Sequence, residues 1–454
     1  MSYNHPMLRT RFAPSPTGLL HIGNLRTAIY AYVMAKHSAG QFILRIEDTD
    51  RERNKQEGVD DIKKVLTLFR LNWDEFYIQS ERKTSGIYQQ AAEKLVTDGH
   101  AFYCQCQAKN AKEEGFSSTL RDPCRDSGFK SGAIKLRVPD HQQVSYHDFV
   151  LGKQVAWNTD TVYDATLLKS DGFPTYHLAA MTDDLGMNIT HILRGHDWMP
   201  STPIHLLVFD YLGGTRPEIG HLTDIQSPNG GKLSKRRDSV FVENFINQDG
   251  YLPEALLNFV ILLGWAPKDN RELFTLDEFI NAFDPKGFQK SNPLFEYKKL
   301  NWLNGQYIRQ KTDTELAQLV KPFVKTGLTD TQVTQIVPLV KDRLTKLSDF
   351  NGLTSCFVNP PVYDPSLWVK PAESRLHLSS VLPILESSSW DLPNLQSNLS
   401  NLISQNTWKV GDFYMSLRIA ICGSKSTPPI TETMLALGKE ESLKRIKSAI
   451  GSLS

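Results

Sequence analysis

Two stretches of the sequence carry side chains suited to holding phosphate. The first is RFAPSPTGLLHIGN, Arg11 to Asn24, where prolines and a glycine precede an apolar run that opens near His21. Proline fixes the backbone angle φ, and glycine permits close approach of a ligand. A loop of this kind that leads into a helix presents oriented N–H groups and the positive end of the helix dipole to an anion. At their spacing, His21 and Asn24 share one helical face and can point at the same bound group.

The second stretch is GGKLSKR, Gly230 to Arg236, where lysines follow a pair of glycines. Lys232 and Lys235 place two ammonium groups on a glycine-hinged loop, which suits closure over the charge of a polyphosphate transition state. Taken alone, each stretch also has a plainer interpretation. The first is compatible with a turn and a helix cap, and the second with a solvated basic loop.

The elements around these stretches predict an α/β domain with a parallel sheet. RFAPSPTG begins as a strand, and the apolar residues after it recur at helical spacing up to Gly40. A buried strand is predicted over Phe42 to Ile46, and an amphipathic helix near Val59 to Leu71. This order is typical of a parallel sheet with crossover helices. We expect THILRGHDW, which contains Arg194, and the helix after it to form the second half of the same sheet.

The pattern changes between about residues 101 and 190, where short β-like runs alternate with turns. AIKLRV, DATLLKSDG and YHLAAMTDD are such runs, and together they predict an inserted region. After GGKLSKR the pattern becomes helical. Pro253 suits the first turn of one helix, and Thr312 with Glu315 has the spacing of a capping box at the start of another.

Length and composition are those of a multidomain globular protein. The chain has 454 residues, of which 40% are apolar and 22% are charged, with a formal net charge of +1. A chain of this length should divide into several domains, and its composition excludes a disordered protein. The near-zero charge provides no general basic field, so a polyanion must bind at local patches. No apolar stretch is long enough to span a bilayer, and we expect no membrane partner.

Cysteine use and the N-terminus favour a cytoplasmic location. Five cysteines in a chain of this length do not form a disulfide framework. The residues ahead of Arg9 are too few for a signal or transit peptide. A reducing cytoplasm is the simplest interpretation.

Together, the motifs resemble those of a known family. PSPTGLLHIGN and KLSKR are similar to the two signature motifs of class I aminoacyl-tRNA synthetases. RFAPSPTG, RIEDTDRER and LLKSDGFPTYHLA narrow the resemblance to glutamate–tRNA ligases of the bacterial or organellar type. The resemblance extends over almost the whole chain. Where the family's first motif often ends in a second histidine, this chain has Asn24, at a position where glutamate ligases frequently vary.

The resemblance implies a fold and a division into domains. A Rossmann-like parallel-sheet catalytic domain is expected over residues 1–100 and 190–245, with an inserted α+β acceptor-stem-binding domain at 101–189. A stem-contact domain at 246–325 and an all-α anticodon-binding region at 326–454 would follow. That helical region argues against the shortened paralogues that glutamylate a modified tRNA base. The absence of a C-terminal β-barrel pattern in the sequence argues against the glutamine–tRNA ligases.

The activity implied is ATP-dependent attachment of L-glutamate to tRNA(Glu) through a glutamyl-adenylate. Protein catalysis of such a phosphoryl step is mostly positioning and charge neutralisation, with Mg²⁺ sharing the second task. The catalytic residues would be His21 on the phosphates, and Lys232 and Lys235 on the pentavalent phosphate. The ATP-binding residues implied are Pro14, Ser15, Gly18, His21, Gly23, Asn24, Lys232, Leu233, Ser234, Lys235 and Arg236.

Glutamate requires a cation for its side-chain carboxylate and an anion for its ammonium group. Arg11 and Glu47 lie at the carboxyl edge of the predicted sheet, where α/β proteins bind ligands. The glutamate-binding residues that the resemblance adds are Ala13, Ser15, Tyr176 and Arg194. We expect Arg194 to separate glutamate from glutamine, because a bidentate guanidinium–carboxylate pair is charge-assisted and an amide would leave the arginine poorly paired.

A structural Zn²⁺ is predicted in the inserted region. Cys104, Cys106, Cys124 and Asp126 have a spacing compatible with a tetrahedral site closed by a carboxylate. Some bacterial relatives have a similar cluster with histidine at the fourth position. Three reduced cysteines packed in a small domain are the alternative.

Three basic residues are candidate tRNA contacts. Lys298 and Lys299 lie in YKKLNWLNGQY, which resembles the family's stem-contacting segment, and Arg343 in VKDRLTKL would read the anticodon. A solvated helix face is the alternative for Arg343. We expect Trp302, in the same segment as the lysines, to be a core residue.

The partners implied are tRNA(Glu), L-glutamate and ATP, with the chain acting as a monomer. Three alternatives stay open from the sequence: an enzyme that also glutamylates tRNA(Gln), an adenylyl-transferring ligase for another amino acid such as glutamine, and an RNA-binding paralogue without ligase activity.

Overall fold

The computed structural model describes residues 7–50, 54–106, 120–234, 238, 240–325 and 327–453. The chain forms two compact units, Met1–Phe245 with Pro253–Tyr297 and Ile246–Leu252 with Lys298–Ser454. The strands are β1 (Arg9–Phe12), β2 (Gln41–Ile46), β3 (Glu75–Ile78), β4 (Ala101–Cys104), β5 (Ala133–Leu136), β6 (Gln143–Asp148), β7 (Lys153–Asn158), β8 (Thr166–Leu168), β9 (His191–Gly195) and β10 (Glu218–Leu222).

The α-helices of the first unit are α1 (Ile22–His37), α2 (Gln56–Leu68), α3 (Gln79–Lys83), α4 (Ile87–Thr97), α5 (Tyr176–Gly186), α6 (Thr202–Leu212), α7 (Pro253–Leu262) and α8 (Leu276–Ala282). Apart from Tyr297, the following helices belong to the second unit: α9 (Tyr297–Gln310), α10 (Asp313–Val320), α11 (Asp330–Val340), α12 (Phe350–Thr354), α13 (Pro371–Ser387), α14 (Leu392–Gln405), α15 (Val410–Cys422), α16 (Ile430–Leu437) and α17 (Lys439–Ser452).

The larger sheet of the first unit has the strand order β3-β2-β1-β9-β10-β6-β7. Its strands are parallel except β7, which pairs antiparallel with β6. β1 lies between β2 and β9, so the two halves of the sheet adjoin at β1. Open α/β sheets bind ligands outside the carboxyl ends of the strands, at the point where the strand order reverses. The expected parallel sheet completed by THILRGHDW is confirmed.

Apolar packing fixes the start of the chain against this sheet. Ile22, Leu25 and Ile29 on α1 are fully buried, and the apolar run of β2 is buried from its second residue onward. A hydroxyl on β1 adds a polar anchor, since Thr10 donates to the carbonyl of Ala31 at 2.6 Å. Helix α1 is therefore packed against β1, β2 and β9, three neighbouring strands of the larger sheet.

The inserted region contributes to two sheets. AIKLRV and DATLLKSDG supply β5 and β8, which form a separate antiparallel sheet with β4 in the order β4-β5-β8. The hairpin of β6 and β7, in contrast, extends the larger sheet beside β10. The expected bounds of the inserted domain, 101–189, stay a prediction.

The run YHLAAMTDD is helical, and the prediction of a β-like run there was wrong. It forms α5, which Thr175 precedes in an extended conformation. Six of its residues are buried, including the consecutive acids Asp183 and Asp184. Because those carboxylates point into the protein and pair with arginines there, the hydrophobic periodicity of the helix is hidden in the sequence.

The second unit is helical in the part of it that the structure describes, and α13 to α17 share one apolar core around residues such as Leu395 and Phe413. The predicted capping box at Thr312 and Glu315 is present at the start of α10. Trp302 on α9 is 42% exposed, so its assignment to the core was wrong. None of the helices among the described residues has both the length and the apolar character needed to cross a bilayer.

Candidate active site

A cavity of about 280 Å³ opens at the start of α1. Six residues of the stretches Arg11–Asn24 and Gly230–Arg236 line it: His21, Gly23, Asn24, Lys232, Leu233 and Ser234. Backbone hydrogen bonds hold the neighbouring chain in place: Ile22 donates to the carbonyl of Val240 at 2.9 Å, and Leu233 donates to that of Ile225 at 2.8 Å. Two stretches that are far apart in the sequence thus meet at one cavity.

His21 caps the N-terminus of α1. Its Nδ1 accepts a hydrogen bond from the backbone N–H of Asn24 at 3.3 Å, so the neutral ring carries its proton on Nε2. Gly23 is needed beside this ring, since a Cβ at that position would lie 3.0 Å from Cε1 of His21. Any side chain at residue 23 would press on the imidazole and narrow the cavity.

Lys232 is held by two carboxylates. Its Nζ lies 2.5 Å from Asp197 and 2.9 Å from Asp224. Burial opposes the charge of Lys232, but the hydrogen bonds that its ammonium group donates to Asp197 and Asp224 outweigh burial and raise the pKa of the lysine. The ammonium group is therefore charged at neutral pH, and both carboxylates line the same cavity.

Lys235 and Arg236 lie outside the described residues. Gly18 lies in the loop between β1 and α1 with φ at +145°, a conformation that favours glycine. Pro14 and Ser15 line a second cavity, and the assignment of both residues to ATP binding stays a prediction.

The second cavity has a volume of about 220 Å³ and adjoins the first. Its lining includes every residue that the resemblance implied for glutamate: Arg11, Ala13, Ser15, Glu47, Tyr176 and Arg194. Asn24, Thr27, Gly195 and Trp198 line both cavities. A ligand in one cavity can therefore contact a ligand in the other.

A buried array of charges underlies the second cavity. Asp184 lies 3.2 Å from Nε of Arg11 and 2.7 Å from Nη1 of Arg45, and Arg45 in turn lies 3.0 Å from Glu47. All four side chains are at most 6% exposed. Because the array links β1, β2 and α5, it fixes the cation at Arg11 relative to the anion at Glu47.

Burial raises the pKa of Glu47 to about 7, against the opposing charges of Arg45 and Arg11. Asp184 has a lowered pKa, since Arg11 and Arg45 outweigh the cost of its burial. Arg45 lies within ion-pair distance of Asp183 and Asp184 as well as Glu47, and the ionised form of Glu47 is therefore less stabilised than that of Asp184. A ligand cation beside Glu47 would favour its ionised form.

Arg194 lies on β9 and lines the same cavity. Tyr176, the first residue of α5, stacks against Trp198 with ring centroids 4.1 Å apart. Burial and the charge of Glu47 raise the pKa of Tyr176, so its hydroxyl keeps its proton. The cavity thus combines two guanidinium groups, one carboxylate and an aromatic wall.

The cysteine cluster differs from the prediction at its fourth position. The ligand atoms of Cys104, Cys106, Cys124 and Asp122 all lie within 4.8 Å of one another. Asp126 is instead exposed and pairs with Arg137 at 3.0 Å. A local turn explains the exchange, because Asp122 accepts the backbone N–H of Cys124 at 2.8 Å and so places its carboxylate on the cysteine side. Three thiols and a carboxylate form a donor set that suits tetrahedral zinc.

The predicted tRNA contacts lie in the second unit. Nζ of Lys299 lies 4.7 Å from the ring centroid of exposed Trp302, so a cation and an aromatic face share one side of α9 with Lys298 nearby in the sequence. Arg343 donates to the carbonyl of Thr427. Its guanidinium therefore has a structural role in this conformation as well as an exposed position.

Several site residues were not found from the sequence, among them Arg45, Asp184, Asp197 and Asp224. Asp197 and Asp224 follow β9 and β10 at the carboxyl edge of the sheet. Their position directly after buried strands is a signal that could have found them. The adjacent acids in MTDDLG could likewise have indicated a buried partner for arginine.

Family models match most of the chain. The model described as "tRNA synthetases class I (E and Q), catalytic domain" matches residues 7–302, and the one described as "Anticodon binding domain" matches residues 315–450. Among curated proteins, a glutamate–tRNA ligase of Dehalococcoides mccartyi is 38% identical, with 98% of each chain covered. One of Herpetosiphon aurantiacus is 37% identical with the same coverage.

Solved structures agree with these matches. A glutamate tRNA ligase of Elizabethkingia meningosepticum, solved in complex with its amino acid, is 30% identical with a TM-score of 0.87, covering 99% of this chain and 100% of that one. The glutamate–tRNA synthetase of Elizabethkingia anophelis is 30% identical with a TM-score of 0.88, at 98% and 99% coverage. On its motifs, its sheet and these full-length similarities, the chain belongs to the glutamate–tRNA ligase family of class I tRNA synthetases.

Proposed function

We propose that the protein activates L-glutamate with ATP and transfers it to the terminal ribose of tRNA(Glu). The observation that carries this proposal is the pair of adjoining cavities, which share four lining residues. One is lined by the two phosphate-binding stretches, and the other by two guanidinium groups and a carboxylate. The curated relatives named glutamate–tRNA ligases support the choice of amino acid and acceptor.

In the first step, a carboxylate oxygen of glutamate attacks the α-phosphorus of ATP and the bond to pyrophosphate breaks. Thr27, Asn24 and Gly195 line both cavities, so this is where the two substrates would meet. His21 and Lys232 would bind the phosphates, with Lys235 joining them as charge develops. Glu47 would bind the α-ammonium group, while Arg11 and Arg194 would bind carboxylate oxygens.

In the second step, a hydroxyl of the terminal ribose attacks the acyl carbon and AMP leaves. The match of residues 315–450 to an anticodon-binding domain supports a tRNA as the acceptor. Lys298 and Lys299, with the exposed Trp302 beside them, would contact the RNA backbone and a base or ribose. We assign acceptor-stem binding to residues 101–189, stem contact to 246–325 and anticodon binding to 326–454, in a cytoplasmic monomer.

Two metals belong to this proposal. Mg²⁺ would enter with ATP and offset the charge of the triphosphate, and Asp197 and Asp224 line the cavity where carboxylate ligands would serve it. Zn²⁺ would be held by Cys104, Cys106, Cys124 and Asp122, and its part would be structural.

Aminoacylation of purified tRNA(Glu) and tRNA(Gln), each with glutamate or glutamine, tests the proposal. We expect glutamyl-tRNA(Glu), ATP consumption and no product with glutamine; the tRNA(Gln) reaction decides whether the enzyme is discriminating. Lys235→Ala should reduce kcat by about a hundredfold or more. Lys94→Ala, which removes an exposed lysine of α4, is the control. If Lys235→Ala charges tRNA as fast as this control, the catalytic role assigned to Lys235 is wrong. If the wild type charges neither tRNA, the proposed activity is wrong.

A further inference from the structure

Arg194 is held by uncharged acceptors. Its Nε donates to Nε2 of His221 at 2.9 Å, Nη1 to Nδ1 of His205 at 2.9 Å and Nη2 to Oγ1 of Thr202 at 2.8 Å. Arg194 is 5% exposed, and the three acceptor residues are fully buried. No carboxylate of the described residues lies within ion-pair distance of its guanidinium.

The hydrogen-bond directions determine where the protons of these rings lie. Arginine can only donate, so Nε2 of His221 is unprotonated, and the proton on Nδ1 is donated to Asp148 at 2.8 Å. Likewise Nδ1 of His205 is unprotonated, and its Nε2 proton is donated to Nδ1 of His177 at 3.0 Å. Both rings beside Arg194 are therefore neutral.

Electrostatics supports the neutral state. Burial and the nearby charge of Arg194 lower the pKa of His177 to about 4 and that of His205 well below its usual value. Burial lowers the pKa of His221 to about 4 in spite of Asp148. Burial also lowers the pKa of Arg194, but a guanidinium stays protonated in proteins.

The two arginines of the cavity thus differ in charge balance. Arg11 already has Asp184 as an ionic partner. Arg194 reaches a carboxylate only indirectly among the described residues: it donates to His221, and His221 in turn donates to Asp148. An unneutralised buried cation is costly and attracts an anion strongly. Arg194 also hydrogen-bonds the side chain of Tyr176, which keeps its proton and brings no negative charge. All the hydrogen-bond partners of Arg194 among the described residues are therefore uncharged, and a substrate carboxylate beside Tyr176 would be its first ionic partner.

We propose that His205, His221 and Thr202 are specificity-determining positioning residues, which hold Arg194 as an unneutralised cation so that the substrate's side-chain carboxylate becomes its counterion. A carboxylate in place of any of them would neutralise Arg194 internally. The pocket would then lose its preference for glutamate over the neutral, nearly isosteric glutamine. This inference rests on the proposed function and on Arg194 as the side-chain contact.

The test compares variants that differ only in one charge. His205→Asn retains a neutral acceptor near the position of Nδ1. His205→Asp places a charged carboxylate there, and its side chain has the same size as that of the Asn variant. Thr202→Asn and Thr202→Asp form a second pair at the start of α6, where an acidic residue also suits the helix dipole. ATP–pyrophosphate exchange with tRNA(Glu) present gives KM and kcat for glutamate and for glutamine, and thermal unfolding without substrates gives stability.

In each pair we expect the Asp variant to have a KM for glutamate at least about tenfold above that of the Asn variant, since a charge-assisted pair is lost. The kcat values within a pair should differ far less than the KM values. The ratio of glutamate activity to glutamine activity should be lower in the Asp variant than in the Asn variant. The Asp variant should also unfold at a higher temperature, because Arg194 gains a counterion. Equal KM values within both pairs, or Asp variants less stable than their Asn partners or unable to fold, would overturn the inference. A wild type that does not activate glutamate would instead refute the proposed function.

Discussion

Arg11 and Asp184 form an ion pair of 3.2 Å in which the side chains are only 4% and 0% exposed. The carboxylate of Asp184 also accepts a hydrogen bond from Arg45, so one side chain on α5 orients arginines on two neighbouring strands. A buried carboxylate shared in this way is difficult to replace, because its removal leaves the buried Arg11 without its ionic partner and deprives Arg45 of one of three carboxylates.

We therefore expect Asp184→Asn to destabilise the protein by about 3–5 kcal/mol in urea unfolding. Glu75→Gln is the control, since it removes a charge from a partly exposed pair with Arg9 at 2.9 Å; such pairs contribute about 1 kcal/mol or less. Similar losses in the two variants would show that the buried array does not determine stability.

The raised pKa of Glu47 predicts a pH dependence of stability. Burial raises the pKa of the Glu47 carboxyl group to about 7 in the folded protein, from its ordinary value of 4.5 in the unfolded chain. Between these values the folded state holds a proton that the unfolded state has released, so stability falls as pH rises from about 4.5 to 7. Glu47→Gln cannot lose a proton, and its stability relative to the wild type should rise over this window and level off above it.

Urea unfolding of both proteins at pH 5, 6, 7 and 8 measures this difference, and the slope is at most about 1.4 kcal/mol per pH unit. A difference that does not vary with pH would contradict the raised pKa. Glu47→Gln should at the same time bind glutamate poorly, because the ammonium group loses its anion. The residue is thus expected to reduce stability at neutral pH while supporting activity.

Gly23→Ala tests the contact between the glycine and His21. The added methyl group would lie 3.0 Å from Cε1 and 3.1 Å from Nδ1 of the imidazole, so the ring must shift. We expect the KM for ATP to rise by roughly tenfold, a loss of about 1.4 kcal/mol, without loss of fold, since alanine favours helices over glycine by about 1 kcal/mol. Gly411→Ala is the matched control: it is also the second residue of its helix, α15, and its Cβ would meet nothing within 4 Å. Equal KM values for ATP in the two variants would contradict the proposed role of His21 in binding ATP.

Zinc content distinguishes the two candidate carboxylates. Elemental analysis of the purified protein should find about one zinc per chain, with a clear loss in Asp122→Ala and none in Asp126→Ala. Asp122 also accepts from Lys135 at 2.6 Å, so thermal unfolding with and without a chelator separates loss of metal from loss of this ion pair. Loss of zinc in Asp126→Ala but not in Asp122→Ala would favour the ligand set predicted from sequence spacing.

The sequence was most informative where chemistry is carried by local spacing. The parallel sheet and the meeting of His21 with Lys232 at one cavity could be predicted from short motifs. The family resemblance added Ala13, Ser15, Tyr176 and Arg194 to Arg11 and Glu47, and all six line one cavity. Residues that act through pairing across the fold were not found. Arg45 and Asp184 lie in segments that read as a strand and a β-like run, and only the folded chain brings them together. Asp122 replaced Asp126 beside the cysteines because a turn, rather than spacing, decides which carboxylate faces inward.

The hairpin of β6 and β7 has a consequence for anyone who recombines parts of this enzyme with those of its relatives. The segment looks exchangeable, since it lies within the inserted region, yet Asp148 at its edge holds His221 on β10. The fit between the neighbouring segments is also close: a methyl group on Gly220 would collide with Val150 at 2.6 Å and Phe149 at 2.7 Å. A chimera that swaps residues 101–189 as a block would therefore replace the strand that carries Asp148 and, with it, the contact to His221. Junctions that leave both 143–158 and α5 with the recipient would retain this contact, the cavity residue Tyr176 and the ion pair of Asp184 with Arg11.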